Sequence, residues 1–304
     1  MPNGPPPRPR SIAIPRWRGV KGAGMSEPEF LKDYQLAQRI HGALWTGGDY
    51  TRVAEQLTGV SATVVEAAGI GPGMRVLDLG AGSGNTALLA AGQGAEVIAV
   101  DLTDDLFGTC RQRAAAAGVT VTWAAVNPED LPFGVGHFDR VLSAVGGSLA
   151  MAPNQQRVAA EMVRVCRPGG LLAVANWTAE GLVGQVARVI ADYLPPPPPG
   201  APSPWVWAAE DSVTALLGPF GYAVRPDRRM ASFSYRSPDS YISYLEEVHG
   251  PTIMALRLAA EQGRRAELRA RLLELYSGAN TATDGTLTFD QEYLLATAAA
   301  RAGG

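Results

Sequence analysis

Short apolar runs alternate with helix-like segments through the first half of the chain. The apolar runs predict strands over 76–79, 97–100, 138–143 and 171–175, and alternating β-branched residues predict a further strand over 119–125. The segments between them have the spacing or composition of helices and predict helices over 85–91, 104–117 and 155–166. Strands and helices that alternate in this way predict a parallel sheet with helices on both faces.

Helical patterns flank this alternating core on both sides. Before it, we expect a helical cap over 25–73, made of a helix over 28–45, a short helix that opens at Asp49 and Tyr50, and a third helix capped by Ser61. After it, the pattern predicts helices over 186–194, 211–217, 238–247 and 253–276, one long or two short strands over 222–236, and a last strand over 293–300. The prolines at 195–199 predict a stiff connector. The sequence therefore predicts an α/β fold with a helical insertion before its last strand.

Composition sets residues 1–24 apart from the rest of the chain. They hold six prolines, five basic residues and no acidic residue, a composition that cannot form a core, so we expect a disordered basic extension.

The remaining residues carry 21 basic and 29 acidic side chains, which predicts no binding to nucleic acid. No apolar run approaches 18 residues, so we expect no membrane span. Two separate cysteines, Cys110 and Cys166, favour free thiols and a cytoplasmic location. A homodimer stays possible.

The stretch from Arg75 to Asn85 carries the main chemical signal. Three glycines, Gly80, Gly82 and Gly84, follow the first strand where the chain must turn sharply into a helix. Unpaired N–H groups and the helix dipole at such a turn favour a carboxylate, a ribose or a phosphate. The G-x-x-G spacing of dinucleotide-binding loops is not met, because Asn85 stands where the third glycine is required. The sequence therefore favours a ligand other than a dinucleotide.

The glycine loop resembles motif I of the class I S-adenosylmethionine (SAM)-dependent methyltransferases, and four further features extend this resemblance over 74–177. They are Asp101 after the second strand, the turn at Asn127-Pro128-Glu129, the glycines after the fourth strand, and the turn Arg167-Pro168-Gly169-Gly170. The chain looks nearest to the ubiquinone/menaquinone-type and small-molecule methyltransferases of bacteria. The resemblance implies a Rossmann-like, mostly parallel seven-stranded sheet, a SAM-binding domain over 74–304, and a lid from segments 178–210 and 238–285.

The resemblance also implies which residues contact SAM. They are Tyr50, Asp78, Gly80, Ala81, Gly82, Asp101, Leu102, Asn127, Pro128, Glu129 and Ser143. Asp101 is expected to accept both ribose hydroxyls, Asn127 to accept from the adenine amino group, and the Ser143 carbonyl to accept from the methionine ammonium. Pro128 has no N–H to offer adenine, which weakens the predicted binding. Tyr50 belongs to a Trp45-x-x-Gly48-Asp49-Tyr50 segment and contacts the methionine carboxylate or packs in the cap.

Methyl transfer from a sulfonium is an in-line displacement, so a base is needed only if the acceptor must lose a proton. His249 in the expected lid is the candidate catalytic base, and His41 is the second choice. No His, Cys and acid cluster has metal-ligand spacing, so no metal is expected. We therefore expect methylation of a small molecule at O, N or C. The alternatives are a non-methylating member of the same fold and a nucleotide-dependent oxidoreductase.

Overall fold

A computed structural model of the chain describes residues 50–150, 152–196 and 203–300. The strands are β1 (Arg75–Leu79), β2 (Glu96–Asp101), β3 (Val121–Ala125), β4 (Phe138–Ala144), β5 (Cys166–Trp177), β6 (Tyr222–Tyr235) and β7 (Leu287–Ala300). The helices are α1 (Tyr50–Ala68), α2 (Asn85–Gly92), α3 (Phe107–Ala116), α4 (Gly147–Ala150), α5 (Gln155–Val165), α6 (Leu182–Ala191), α7 (Glu210–Leu217), α8 (Pro238–Val248), α9 (Gly250–Glu261) and α10 (Arg265–Gly278).

The seven strands form one sheet in the order β3-β2-β1-β4-β5-β7-β6. Neighbouring strands from β3 through β5 are parallel, and β7 is antiparallel to both of its neighbours. The strand order reverses direction at β1, where the chain crosses to β4 after completing β3. Open α/β sheets bind ligands at the carboxyl ends of the strands beside such a switch point. The predicted seven-stranded, mostly parallel fold is confirmed.

Alternation along the strands gives each face of the sheet its own core. Leu77, Ile98 and Val141 point to the face covered by α5 and α7. Val76 and Leu142 point to the opposite face, which is covered by α1 and α2. Successive side chains of a strand point to opposite faces of the sheet. Because both faces are covered by helices, apolar residues occupy successive positions, and these strands appear in the sequence as continuous apolar runs.

The β6–β7 hairpin extends well beyond the rest of the sheet. Trp177, the last residue of β5, pairs with Tyr293, whereas β6 and β7 continue to pair as far as Tyr235 and Leu287. The helices α8, α9 and α10 lie between these two strands in sequence and share a third core with α6 and with Phe233 and Phe289 of the hairpin. The predicted helical insertion is therefore built on a projecting piece of the sheet.

Several predicted boundaries were wrong. Ser61 does not begin a helix: α1 runs unbroken from Tyr50 to Ala68, and the buried Ser61 hydroxyl accepts a hydrogen bond from Thr86 Oγ1 at 3.1 Å. The helix predicted over 253–276 is two helices, because Gly263 adopts a φ of 70° and ends α9. The last strand begins at 287 rather than 293. Its alanines favour helix by propensity, and pairing on both sides overrides that preference.

The predicted helix over 28–45, the 1–24 extension and the prolines at 197–199 lie outside the described residues. Across the described ranges, no helix is long and apolar enough to cross a bilayer.

Candidate functional site

A cavity of about 700 Å³ lies at the carboxyl edge of the sheet. Its floor comes from the residues that follow β1, β2 and β4, and from the ends of β5 and β6. Its other walls come from α1 and α6 and from the three helices of the insertion, α8, α9 and α10. The space is continuous from the glycine loop at one end to the aromatic side chains under the insertion at the other. Its volume is typical of a small-molecule site.

The glycine loop between β1 and α2 forms one end of the cavity. Gly80, Gly82 and Gly84 have φ values of 75°, 51° and 88°, a region that L side chains rarely adopt. The N–H groups of Gly80 and Ala81 donate to the Val100 carbonyl at 2.9 and 3.0 Å, and that of Gly84 donates to the Ala81 carbonyl. The expectation that these amides are unpaired is therefore wrong. They close the loop on itself and present its surface to the cavity.

Asp101 fixes the same loop from β2. Its Oδ2 accepts the Gly82 N–H and its Oδ1 accepts the Leu102 N–H, both at 2.7 Å. The side chain lines the cavity although the residue is only 8% exposed. Each carboxylate oxygen can accept more than one hydrogen bond. Asp101 can therefore hold the loop and still accept from hydroxyl groups of a ligand.

Three side chains behind the loop hold its outer surface. Arg113 of α3 donates to the Ser83 carbonyl and, at 2.6 Å, to Asn85 Oδ1. The Cys110 thiol donates to the Gly82 carbonyl at 3.3 Å. A Cβ atom on Gly84 would lie 2.6 Å from Trp123 Cη2. Only glycine therefore fits at position 84. No sequence pattern pointed to Arg113, because a side chain that binds a carbonyl 30 residues away has no local signature.

Asp78 and Ser143 are buried polar residues on adjacent strands, β1 and β4. Asp78 is 1% exposed, and neither carboxylate oxygen has a hydrogen-bond partner among the described residues. Burial raises the pKa of Asp78 to about 7. Two smaller effects act on this pKa: the backbone amide of Ala87 lowers it, and the negative charge of Asp101 raises it. Within the same ranges Ser143 Oγ is also buried and without a partner. Such groups are costly in a folded protein. The described cavity lining does not include Asp78, Leu102 or Ser143, so their assignment to SAM stays a prediction.

The turn at 127–129 lies apart from the cavity. Asn127 Oδ1 accepts the Glu129 N–H at 3.0 Å, and Glu129 Oε1 accepts the Asn154 N–H at 2.7 Å. The described cavity lining does not include Asn127, Pro128 or Glu129. Their assignment to adenine stays a prediction. Tyr50 is the first residue of α1, and its side chain lies outside the described part of the chain.

The far end of the cavity is lined by aromatic side chains that the sequence did not single out. Tyr235, Tyr241, Tyr244 and Tyr276 come from β6, α8 and α10, and Trp177 and Phe233 come from the ends of β5 and β6. Burial raises the pKa of the Tyr235, Tyr241 and Tyr276 phenols, so these groups stay neutral. We call this end of the cavity the tyrosine chamber.

His249 lies between α8 and α9 and lines the tyrosine chamber. Its Nδ1 is 2.8 Å from Thr252 Oγ1. Burial lowers the pKa of His249 to about 4, although the ring retains partial exposure toward the cavity. The imidazole is therefore neutral at physiological pH. If Nδ1 carries the proton and donates it to Thr252, the Nε2 lone pair is the free one. In the described ranges, no group of three His, Cys, Asp or Glu residues could hold a metal ion.

Comparisons with known proteins place the chain in a family. Residues 76–170 match a family model described as a methyltransferase domain. An uncharacterised protein of Mycobacterium tuberculosis is 38% identical over 273 residues, covering 89% of this chain and 97% of that protein. The ubiquinone/menaquinone biosynthesis C-methyltransferase UbiE of Bordetella parapertussis is 37% identical over 114 residues, covering 36% of this chain and 43% of that protein.

The fold also matches solved structures. The YcgJ protein from Bacillus subtilis superposes with a TM-score of 0.55 at 19% identity, covering 81% of this chain and 99% of that chain. A likeness at that identity concerns the fold alone. The matched segment contains β1 and its glycine loop, Asp101 and the turn before the apolar part of β5, which are the features that carried the resemblance. The chain therefore belongs to the class I SAM-dependent methyltransferases.

Proposed function

We propose that this protein transfers a methyl group from SAM to a small-molecule acceptor at O, N or C. The observation that supports this most strongly is the continuity of the cavity. One end is formed by the glycine loop and Asp101, and the other by the tyrosine chamber. A cofactor and an acceptor can therefore meet in a single space, as group transfer requires.

The residues at the loop end fit SAM in their chemistry. Asp101 presents carboxylate oxygens that suit two ribose hydroxyls. Asp78 and Ser143 lie outside the described lining and are retained in this proposal as partners of the methionine ammonium, through the buried carboxylate of Asp78 and the backbone carbonyl of Ser143. Gly80, Ala81 and Gly82 line the cavity and leave room for the ligand to approach the backbone. Asn127, Pro128 and Glu129 are retained as the adenine contacts of this proposal.

SAM supplies an electrophilic methyl group carried on a positively charged sulfur. The chain's own task is to hold the acceptor in line with that methyl group. Orientation of this kind lowers a barrier by on the order of 7–11 kcal/mol. His249 is the residue placed to receive a proton at Nε2, because it lines the chamber and is neutral. It is the catalytic residue of this proposal.

Titration calorimetry with SAM and with its demethylated product, S-adenosylhomocysteine, tests the cofactor. D101N removes the charge and replaces one acceptor oxygen by a donor that faces a backbone N–H. Charge-assisted hydrogen bonds are worth about 1.5–3 kcal/mol each, so affinity for S-adenosylhomocysteine should fall on the order of 100-fold. D105N is the matched control: Asp105 also lines the cavity but is exposed, and it should change affinity less than about two-fold.

The test has three informative failures. No heat with either compound at millimolar concentration would overturn the proposal. A rise in melting temperature with NAD instead of SAM would favour an oxidoreductase. SAM binding without transfer of tritium from the labelled methyl group to any acceptor offered would favour the non-methylating alternative.

A further inference from the structure

Asn176 lies in the floor of the cavity, between its two ends. It is next to the last residue of β5, and β5 lies between the β1–β4 side, which carries the glycine loop, and the β7–β6 side, which carries the tyrosine chamber. The residue lines the cavity and is 6% exposed. Its Nδ2 has no hydrogen-bond partner among the described residues. Because Asn176 lines the cavity, a rotation of its side chain that brings the unsatisfied amide donor to the cavity surface would let a ligand oxygen accept from it.

None of the described residues that line the tyrosine chamber is charged. The charged side chains of the cavity lining in those ranges, Asp101 and Asp105, lie at the β2 end. His249 in the chamber is neutral because burial holds its pKa near 4. Arg52 lies against the chamber wall, with its Cζ 5.0 Å from the Tyr244 ring centroid, but it pairs with Glu247 at 2.8 Å. A charged acceptor would therefore lose its hydration in the chamber without gaining a counter-charge from the described lining. The chamber therefore favours an uncharged molecule.

The aromatic rings of the chamber contact one another. The centroids of Tyr235 and Tyr241 are 4.2 Å apart, those of Tyr241 and Tyr276 are 4.7 Å apart, and Tyr235 stacks on Phe289 at an interplanar angle of 8°. Tyr235 and Tyr241 are inclined at 42° and Tyr241 and Tyr276 at 84°, so the rings form an angled aromatic wall and not one flat surface. A wall of aromatic carbon suits a largely apolar ligand.

We propose, taking the methyltransferase function above as its basis, that the acceptor is an uncharged and largely apolar molecule, and that Asn176 orients it by donating a hydrogen bond from its side-chain amide to an oxygen of the acceptor. The topology places this hydrogen bond at the junction of the cofactor end and the tyrosine chamber. Asn176 is then a specificity-determining residue: it selects acceptors with a carbonyl or hydroxyl oxygen at the correct distance from the apolar ring.

Three naphthalene probes of nearly equal shape test the proposal by calorimetry. 2-Acetylnaphthalene has a carbonyl oxygen, 2-isopropenylnaphthalene has a CH₂ group in its place, and 2-naphthoate carries a negative charge. In N176L, the preference for the ketone over the alkene should fall about five-fold, because one neutral hydrogen bond is lost. I190L is the matched control: Ile190 also lines the chamber, the change conserves volume, and the preference should stay within about two-fold. 2-Naphthoate should bind the wild-type protein at least about ten-fold more weakly than the ketone.

An unchanged preference in N176L would overturn the role of Asn176, provided that its melting temperature shows a folded protein. Equal binding of 2-naphthoate and the ketone, or no heat for the ketone at its solubility limit, would overturn the acceptor class. Each titration is run with and without saturating S-adenosylhomocysteine. Loss of SAM binding with intact probe binding would therefore remove the methyltransferase proposal and leave standing only the role of Asn176 in binding an uncharged, apolar ligand.

Discussion

Two buried groups should make the stability of this protein respond to pH in opposite directions. Burial raises the pKa of Asp78 from 3.8 to about 7, so the folded state holds a proton that the unfolded chain releases. Stability from this group is complete below pH 3.8 and is lost as the pH rises toward 7. Burial lowers the pKa of His249 from 6.5 to about 4, so here the unfolded chain holds the extra proton. Stability from this group is complete above pH 6.5 and is lost as the pH falls toward 4.

The magnitudes nearly cancel in the wild-type protein. One pKa unit corresponds to 1.36 kcal/mol, so the Asp78 shift is worth about 4 kcal/mol and the His249 shift about 3 kcal/mol over their full ranges. Between pH 4.5 and 6.5 each contributes a change of about 2 to 3 kcal/mol, with opposite sign. The two contributions are therefore hidden when the wild-type protein is titrated alone.

Single substitutions separate them. D78N removes the Asp78 titration, so its unfolding free energy should rise with pH; H249N removes the His249 titration, so its unfolding free energy should fall. All other titrating groups are common to both variants and cancel in the comparison. The difference between their pH responses should reach about 5 kcal/mol from pH 4.5 to 6.5, measured by urea unfolding at each pH. Parallel pH profiles for the two variants would show that the pKa values of Asp78 and His249 are not shifted in opposite directions.

Two further predictions concern the loop and the residues behind it. G84A should destabilise the protein by about 2–5 kcal/mol, because it combines a strained positive φ with a clash against Trp123. The control G118A has a similar φ but open space around the new Cβ, so it should cost only about 1–2 kcal/mol. Equal losses of unfolding free energy in urea would contradict the clash. Burial raises the pKa of Cys110 to about 12 and also raises that of Cys166. Neither thiol should therefore react with Ellman's reagent at pH 8 until urea unfolds the chain. Rapid reaction of the native protein would show that a thiol is accessible.

Local patterns were enough to predict the sheet and the loop end of the cavity. β1 and β2 are mostly buried apolar runs, whereas β3 is only half-buried, and Gly80, Gly82 and Asp101 lie at or just after the ends of β1 and β2. The carboxyl ends of parallel strands share one edge, so residues that follow different strands meet there without further information. Of the predicted contacts, Gly80, Ala81, Gly82 and Asp101 are in the described lining at this end.

The tyrosine chamber could not be predicted in the same way. Tyr235 ends a strand, Tyr241 lies in the first turns of α8, and Tyr276 lies near the end of α10, so no spacing connects them. They meet because β6 and β7 continue past β5 and carry the insertion with them. How far β6 and β7 continue beyond the end of β5 depends on their pairing in the folded protein. The pattern of apolar residues along the sequence does not predict that length.

The same buried, neutral chamber limits when an acceptor can lose its proton. An acceptor hydroxyl with a pKa near 10 would have to give its proton to an imidazole whose pKa is about 4, which is uphill by about 8 kcal/mol. The phenols of Tyr235, Tyr241 and Tyr276 are no better as bases, because their raised pKa values keep them protonated and they offer only weak lone pairs. Loss of the proton after methyl transfer avoids this cost, since a neutral atom that has gained a methyl group becomes positively charged and gives up a proton far more readily. His249 is therefore suited to removing a proton late, from an acceptor that attacks in its neutral form, and H249N should slow turnover without introducing a pH dependence between pH 6 and 8.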